Sequence, residues 1–252
     1  MTGESHSGVI FIHLHTHSAY SLSEGALPIK QMAKMAREAG MPALAITDSG
    51  NLFGALEFSE ALSEKGIQPI IGCTLKLDCG DGPQDNIHRQ RQAQRRLPSL
   101  VLLAKDEAGY RNLMRLSSRA YLDTPDTAEP HVAWEFLQPL ASGLICLTGG
   151  PLGPINEAIV QGQASLARER IEKLKAVFGN RLYVELQRHG TEGERMAEPG
   201  LVELAYDLDI PLVATNEPYF ATSDDYIAHD ALICIADGEV MSNEDRRRLT
   251  PE

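Results

Sequence analysis

Short apolar runs alternate along the chain with segments that have helical spacing. Seven such runs predict β-strands, at residues 9–13, 43–47, 69–77, 100–104, 143–147, 182–186 and 212–215. Runs of this length that are bounded by turn residues are typical of buried strands. The first run is followed by a segment, 28–39, that begins with Pro and stops at Gly40, as helices prefer.

Later segments repeat apolar residues at intervals of three or four, which predicts helices with one buried face. These stripes are Leu52, Ala55, Leu56 and Leu62; Leu113, Leu116 and Ala120; Ile171, Leu174 and Phe178; and Leu201, Leu204 and Leu208. A last helix is predicted from a Ser223 cap to Gly238, and its buried face is expected to contain Ile227, Ala231, Leu232, Cys234 and Ile235.

Repetition of strand and helix predicts an α/β fold with a mostly parallel sheet. Seven repeats over about 220 residues favour a distorted seven-stranded, TIM-like (β/α)7 barrel. A doubly wound open sheet remains the alternative. We expect residues 1–237 to form this domain, and residues 238–252 to begin a connection to further domains.

The composition of the chain indicates the class of protein and the cellular compartment to expect. The chain has 252 residues, of which 43% are apolar and 23% are charged, an ordinary balance for a globular domain. It shows no basic, apolar leader and no apolar run of about 18 residues, so neither a signal peptide nor a membrane span is expected. Four scattered cysteines, Cys73, Cys79, Cys146 and Cys234, indicate reduced thiols in a cytoplasmic protein.

The charge is strongly acidic. A net charge of -12 opposes tight binding to a phosphate backbone, so this domain by itself is expected to bind primer-template DNA weakly. One basic stretch, 86–96, interrupts the strand pattern. We interpret it as a surface loop, with a nucleic-acid contact as the alternative.

Polar residues follow the ends of several predicted strands, which is where the chemistry of such barrels collects. They include His13, His15 and His17 after the first strand, Asp48 and Ser49 after the second, His189 after the sixth and Glu217 after the seventh. Histidines at alternate positions face the same way on an extended chain, which suits convergence on a metal ion.

The same segments carry a family resemblance. FIHLHTHSAYSLSEGA, MPALAITDSGNLFGALEF, GIQPIIGC, LVLLAKDEAGYRNLMRLSS, YVELQRHG and LVATNEPYF closely resemble the amino-terminal PHP (polymerase and histidinol phosphatase) domain of bacterial replicative polymerases, the polymerase III alpha subunits. The resemblance runs from residue 9 to residue 252. It implies a distorted seven-stranded barrel at the amino end of a Mg-dependent, DNA-directed DNA polymerase. It also implies two kinds of partner, the remaining polymerase domains and a separate proofreading exonuclease subunit.

Intact PHP domains hold two or three metal ions and hydrolyse phosphoesters, and the resemblance implies which ligand positions this sequence keeps. His15, His17 and His189 are retained, whereas Glu24 and Glu217 stand where intact members have the shorter Asp. Four ligand positions are lost, at Ser49, Thr74, Ser99 and Tyr219. His13 and Asp48 are expected to support the site without binding metal.

Loss of the bridging carboxylate at position 74 argues against a metal cluster, because neighbouring cations then repel each other. We expect no resident metal, with a single zinc on His15, His17 and His189 as the alternative.

The predicted role of the domain is structural, and the domain is also expected to dock the proofreading subunit. The rivals are an active metal-dependent exonuclease or phosphoesterase and a free-standing phosphatase of the histidinol-phosphate type. The charged tail, 243–252, is expected to lack a partner in the domain and to be poorly ordered.

Overall fold

A curved, mixed β-sheet organises the chain in this computed structural model, which describes residues 11–80, 97–243 and 245–250. Its strands are β1 Ala43–Ile46, β2 Gln68–Asp78, β3 Ser99–Ala104, β4 Val132–Ala133, β5 Leu144–Leu147, β6 Leu182–Leu186 and β7 Leu212–Ala214. They are ordered β1-β2-β3-β5-β6-β7, with the two-residue β4 beside β2. Six predicted strands are therefore confirmed to within about two residues, and β4 was missed because a two-residue strand has no periodicity to detect.

The sheet is not parallel throughout. β1 pairs with β2 in parallel, as do β2 with β4, β5 with β6 and β6 with β7. β3 runs antiparallel to both β2 and β5. The prediction of a mostly parallel sheet holds, but β3 departs from a simple strand–helix repeat. The predicted basic loop between β2 and β3, residues 86–96, lies outside the described residues.

The segment predicted as the first strand is irregular where it is described, yet it lies beside β1. Ala45 N donates to the carbonyl of His13 at 2.9 Å, and Thr47 N donates to the carbonyl of Thr16 at 2.9 Å. On its other side, His17 N donates to the carbonyl of Pro218 at 3.1 Å, just after β7. This segment thus bridges the two outer strands of the sheet, which places His15 and His17 between them.

Eight α-helices lie within the described ranges. They are α1 Ile29–Glu38, α2 Ala55–Ser63, α3 Glu107–Leu122, α4 Trp134–Leu137, α5 Pro154–Val160, α6 Ala164–Phe178, α7 Glu192–Asp207 and α8 Tyr226–Asp237. None of them is long and apolar enough to cross a membrane.

Helix α2 corrects one predicted stripe. Leu56 is 71% exposed, whereas Phe58 is completely buried. The buried positions of α2 are Ala55, Phe58 and Leu62, whose spacing of three and four residues puts them on one face. Leu56 lies about 100° from Ala55 around the helix axis, which turns it toward solvent.

Helix α8 corrects a second stripe. Ile227 and Ile235 were predicted to be buried, but they are 70% and 77% exposed. The inward face instead carries His229, Asp230, Ile233 and Cys234. Polar contacts decide this orientation, because His229 Nε2 donates to the carbonyl of Glu24 at 2.6 Å and Asp230 pairs with Arg246.

The ends of α8 were predicted more accurately. Gly238, in the left-handed conformation at φ 68°, ends the helix as expected. At the start, Thr222 rather than Ser223 is the cap, through a reciprocal capping box with Asp225 on the short 3-10 turn Ser223–Asp225.

The charged tail also differs from expectation where it is described. Arg246 forms a two-pronged ion pair with Asp230, and their side chains are only 2% and 9% exposed. The hydroxyl of Tyr226 donates to the carbonyl of Leu249 at 3.1 Å. The expectation that this tail has no partner in the domain was therefore wrong for residues 245–250. An arginine run is hydrophilic, but a buried carboxylate on α8 holds it against the domain.

Both faces of the sheet are buried. The larger core lies on the outer face, where Leu100 and Leu102 of β3 pack with Leu113 and Leu116 of α3. The alternate residues Val101 and Leu103 face inward and pack with Ala45 and Leu147. This small inner core supports the polar residues that collect at one end of the strands.

Replacing Phe58 with Ala should lower the free energy of unfolding by about 3–4 kcal/mol, because it removes a completely buried ring and leaves a cavity. Leu56→Ala on the same helix is the matched control and should change stability by less than about 0.5 kcal/mol. Urea denaturation of the two variants measures both values. Equal losses would show that the buried face of α2 has been assigned wrongly.

Candidate functional site

Two histidines and a glutamate meet at the end of the sheet. His15 and His17 are each only 1% exposed, and the Nε2 atom of each lies 3.3 Å from the same oxygen, Oε1 of Glu217. His15 comes from the irregular segment beside β1, and Glu217 follows β7. The sequence predicted that His15, His17, His189 and Glu217 meet at one end of the sheet, and three of them, His15, His17 and Glu217, form this group.

The hydrogen bonds of His15 define its charge. Its Nδ1 lies 2.8 Å from a carboxylate oxygen of Glu185, which can only accept. Its Nε2 lies 3.2 Å from the hydroxyl of Thr74, whose own proton is donated to the carbonyl of Thr47 at 2.9 Å. Both ring nitrogens therefore donate, so the ring is an imidazolium. Burial opposes this charge, but Glu217 and Glu185 outweigh it and raise the pKa of His15 to about 9.

Glu217 accepts hydrogen bonds from several sides. The hydroxyl of Tyr219 donates to Oε1 at 2.7 Å, and the side-chain amide of Gln187 donates to Oε2 at 3.2 Å. Burial would raise the pKa of Glu217, but the charge of His15 and the bonds from His17 and Tyr219 hold it well below its usual value. Glu217 also has φ 46°, a left-handed conformation that costs a glutamate roughly 1 kcal/mol or more.

Glu185 was not predicted as part of the site. It is fully buried in β6 and accepts from His15, from the hydroxyl of Thr215 and from the backbone N–H of Gly149 at 3.0 Å. Gly149 has φ 87°, and an added Cβ would lie 2.0 Å from the carbonyl oxygen of Ser99. The sequence does contain a signal for Glu185, since it is a carboxylate inside an otherwise apolar strand. A buried carboxylate requires polar partners in the interior.

Asp48 fixes the loop that carries His17. Its carboxylate accepts from Ser18 N at 2.7 Å, from the Ser18 hydroxyl at 2.8 Å and from the Ser21 hydroxyl at 2.7 Å. Since Ser21 donates its proton to Asp48, its oxygen accepts from Nδ1 of His17 at 3.0 Å. Nε2 of His17 is thereby oriented toward Glu217.

The positions at which the resemblance implies lost ligands are used in other ways. Ser49 donates to Glu24 Oε2 at 2.7 Å, and Thr74 contacts His15. The ring of Tyr219 stacks on His17 with centroids 4.3 Å apart and planes inclined by 2°. Burial and the neighbouring Glu217 raise the pKa of Tyr219 well above its usual value, so its hydroxyl remains a donor. Ser99 is buried at the start of β3.

His189 does not join the other two histidines. Its Nδ1 lies 2.8 Å from Glu194 and its Nε2 lies 2.7 Å from the carbonyl oxygen of Asn216, so both ring nitrogens are engaged elsewhere. Glu194 is itself held at the start of α7 by a capping box with Thr191. His189 was expected in the vestigial site, and in the alternative single-zinc group with His15 and His17, but the described group consists of His15, His17 and Glu217.

His189 and His13 instead line a cavity of about 570 Å³ beside this group, together with Glu217 and Arg247. His13 makes an edge contact with Phe11 at 4.8 Å between ring centroids, and burial lowers the pKa of His13. Nδ1 of His13 is buried without a hydrogen-bond partner among the described residues, so the supporting role expected for His13 stays a prediction.

His15, His17 and Glu217 form a group that could hold a metal ion. One nitrogen or oxygen from each residue lies within 4.8 Å of the others, and within the described ranges these three form the candidate metal-binding group. Glu185 and Ser21 bind the outer nitrogens of the histidines, as is usual for metal-binding histidines. A cluster of two or three ions needs further carboxylates, but the nearby Glu24 is already bound by Ser49 and Arg247.

A model of the PHP domain family matches residues 13–189, well over half of the chain. The chain belongs to the PHP domain family. Among curated proteins, it is 48% identical to DNA polymerase III subunit alpha of Caulobacter vibrioides over 96% of this chain and 21% of that protein. It is 42% identical to the subunit of the same name in Treponema pallidum, over 95% of this chain and 20% of that protein. The chain thus spans about a fifth of the length of these relatives.

Solved structures support the fold alone. An amidohydrolase from Chromobacterium violaceum has a TM-score of 0.53 at 14% identity, covering 82% of this chain and 87% of that one. A crystal structure assigned to the metal-dependent phosphoesterases, from Bifidobacterium adolescentis, has a TM-score of 0.51 at 14% identity, covering 83% and 87%. These similarities agree with an α/β, barrel-like architecture.

Stability should fall at alkaline pH because His15 loses its proton. The folded-state pKa of about 9 lies above the ordinary value of 6.5, so the stabilisation is complete below pH 6.5 and is lost as the pH rises through 9. The full effect is about 3 kcal/mol. Urea denaturation of the parent chain and of His15→Gln at about pH 6 and about pH 9.5 should show their stability difference shrinking by roughly that amount.

The control for this experiment is His131→Gln, which changes a partly exposed histidine outside the site. Its stability difference from the parent chain should not follow the His15 titration. A stability difference between the parent chain and His15→Gln that is the same at both pH values would contradict a charged His15.

Proposed function

We propose that this chain is the PHP domain of a bacterial replicative DNA polymerase, the polymerase III alpha subunit. It hydrolyses no phosphoester itself, and it acts as a structural domain and as the docking site of a proofreading exonuclease subunit. The observation that carries the polymerase assignment is identity of 42–48% with alpha subunits over nearly the whole chain. Relatives this similar normally share a domain's place within a protein.

The structure of the site supports the lack of hydrolysis. Metal-dependent phosphoester cleavage needs ions that bind both the attacking water and the phosphate oxygens. Thr74 stands at the position of the bridging carboxylate, and its hydroxyl contacts His15. Tyr219 stacks directly on His17 and donates to Glu217, so an aromatic ring fills space beside the group.

We also propose that the curved sheet is a distorted (β/α)7 barrel. The support is the segment beside β1, which is hydrogen-bonded to Ala45 on one side and to the carbonyl of Pro218 on the other. Within the proposed parent protein, residues 1–237 are the domain and residues 238–252 lead to the polymerase domains. Those domains bind primer-template DNA and the catalytic Mg, in the cytoplasm.

A second candidate function is metal-dependent 3′–5′ exonuclease or phosphoesterase activity. The group His15, His17 and Glu217 favours it, because two imidazoles and a carboxylate with outer-sphere partners resemble the ligand set of single-zinc hydrolases. One ion of this kind can lower the pKa of a bound water. The two candidates differ in whether added metal produces cleavage.

The direct test combines an activity assay with a binding assay. A primer-template with a mispaired 3′ end should remain intact when it is incubated with this chain and Zn²⁺, Mn²⁺ or Mg²⁺. The proofreading exonuclease subunit of the same organism should co-elute with the chain in gel filtration. Both results follow if the site has lost its metal chemistry while the domain has kept its docking role.

Two variants separate the outcomes: His15→Ala within the site, and the control Lys30→Ala, an exposed residue of α1 away from the site. Metal-dependent cleavage that His15→Ala abolishes and Lys30→Ala preserves would establish the exonuclease alternative. Failure of the exonuclease subunit to co-elute with the chain would contradict the docking role.

A further inference from the structure

The tail of the described chain returns to the site. Arg247 Nη1 lies 3.5 Å from Glu24 Oε1, although the two residues are 223 positions apart in the sequence. Its Nε lies 3.6 Å from Asp237 at the end of α8. The preceding residue, Arg246, is anchored by Asp230, and the following residue, Arg248, is exposed. Of three consecutive arginines, the middle one is therefore directed at the site.

Glu24 is itself connected to the group around Glu217. Ser49 donates to Glu24 Oε2 at 2.7 Å, and the same hydroxyl oxygen lies 3.4 Å from Nδ1 of His17. His229 donates to the backbone carbonyl of Glu24 and holds that residue in place. A continuous set of polar contacts thus runs from Arg247 through Glu24 and Ser49 to His17.

A guanidinium at this place meets the electrostatic need of the site. Glu24 is only 24% exposed, and a carboxylate withdrawn from water needs a positive partner. Arginine keeps its charge at every physiological pH and offers five donors in a fixed plane. A fixed positive charge here also repels an approaching divalent cation.

We propose that Glu24 and its neighbours at this end of the sheet form a binding site for the chain's own Arg247, called the arginine socket below. The guanidinium of Arg247 supplies, at Glu24, positive charge of the kind that a bound cation would supply. Docking of residues 245–250 and binding of a divalent cation at Glu24 are consequently mutually exclusive. When residues 245–250 are docked, the positive charge of Arg247 and the loss of metal ligands both oppose metal binding at this site. The contact is internal to the described chain and does not depend on any polymerase or exonuclease partner.

Hydrogen exchange measured by mass spectrometry tests the arginine socket. Glu24→Gln and Arg247→Met should each speed amide exchange within residues 245–250 by about fivefold, the change that loss of one partly buried ion pair produces. The double variant should exchange no faster than the single ones, because both changes remove the same contact. Glu64→Gln, at the exposed end of α2, and Arg248→Met are the matched controls and should leave the exchange unchanged.

Amides of β3 serve as an internal reference, since they report whether a variant has lost its fold. Exchange of residues 245–250 that is unchanged in Glu24→Gln, but faster in Asp230→Asn, would show that Arg246 alone holds the tail, and it would overturn the proposal.

A second measurement is the melting temperature in the presence of zinc chloride. Zinc should raise the melting temperature of Arg247→Met more than that of Arg248→Met, because only the first removes the guanidinium beside Glu24. Equal shifts would overturn the assignment of Arg247 as the cation of this site.

Discussion

One end of the sheet gathers four carboxylates that are largely withdrawn from water, those of Glu24, Asp48, Glu185 and Glu217. Each requires positive charge or hydrogen-bond donors within the protein, and the arrangement of the site follows from that requirement. Glu185 and Glu217 lie on either side of His15, whose ring is charged because both of its nitrogens donate. Glu24 lies beside Arg247. The charge of His15 and the guanidinium of Arg247 therefore offset part of this negative charge, and hydrogen-bond donors serve Asp48. Unpaired, any of these carboxylates would be strongly destabilising.

The backbone around the site serves the same requirement. Asp48 gathers the Ser18–Ser21 turn by three hydrogen bonds and so fixes His17. Glu217 adopts a left-handed conformation, and Gly149 brings its N–H to Glu185 where no larger residue fits. Strain and close approach of this kind are retained where a site must be held in one geometry. Here they hold an ion-pair network.

Sequence reasoning succeeded where the signal was local. Six strands followed from apolar runs, and the convergence of His15, His17 and Glu217 followed from their places just beyond strand ends. Errors arose where a long-range polar contact overrode periodicity. Ile227 and Ile235 look like a buried stripe, but the contacts of His229 and Asp230 rotate α8 so that both isoleucines face solvent.

The partners of the site were harder to foresee. Glu185 lies 170 residues from His15, and Arg247 lies 223 residues from Glu24. No pattern within a window of the sequence encodes such pairs. His189 was assigned to the metal group because its motif is retained, whereas local capping at the start of α7 engages it elsewhere. A retained motif thus identified the family without determining how its residues are used.

The protonation of His15 at neutral pH tests this account most directly. Nitrogen-15 NMR of the imidazole rings, recorded at about pH 7 on protein treated with a chelator, distinguishes a doubly protonated ring from either neutral tautomer. The account predicts that both nitrogens of His15 carry protons, with chemical shifts that are unchanged when zinc is added. A neutral His15 ring, or an Nε2 signal that moves to a metal-bound position with zinc, would contradict it.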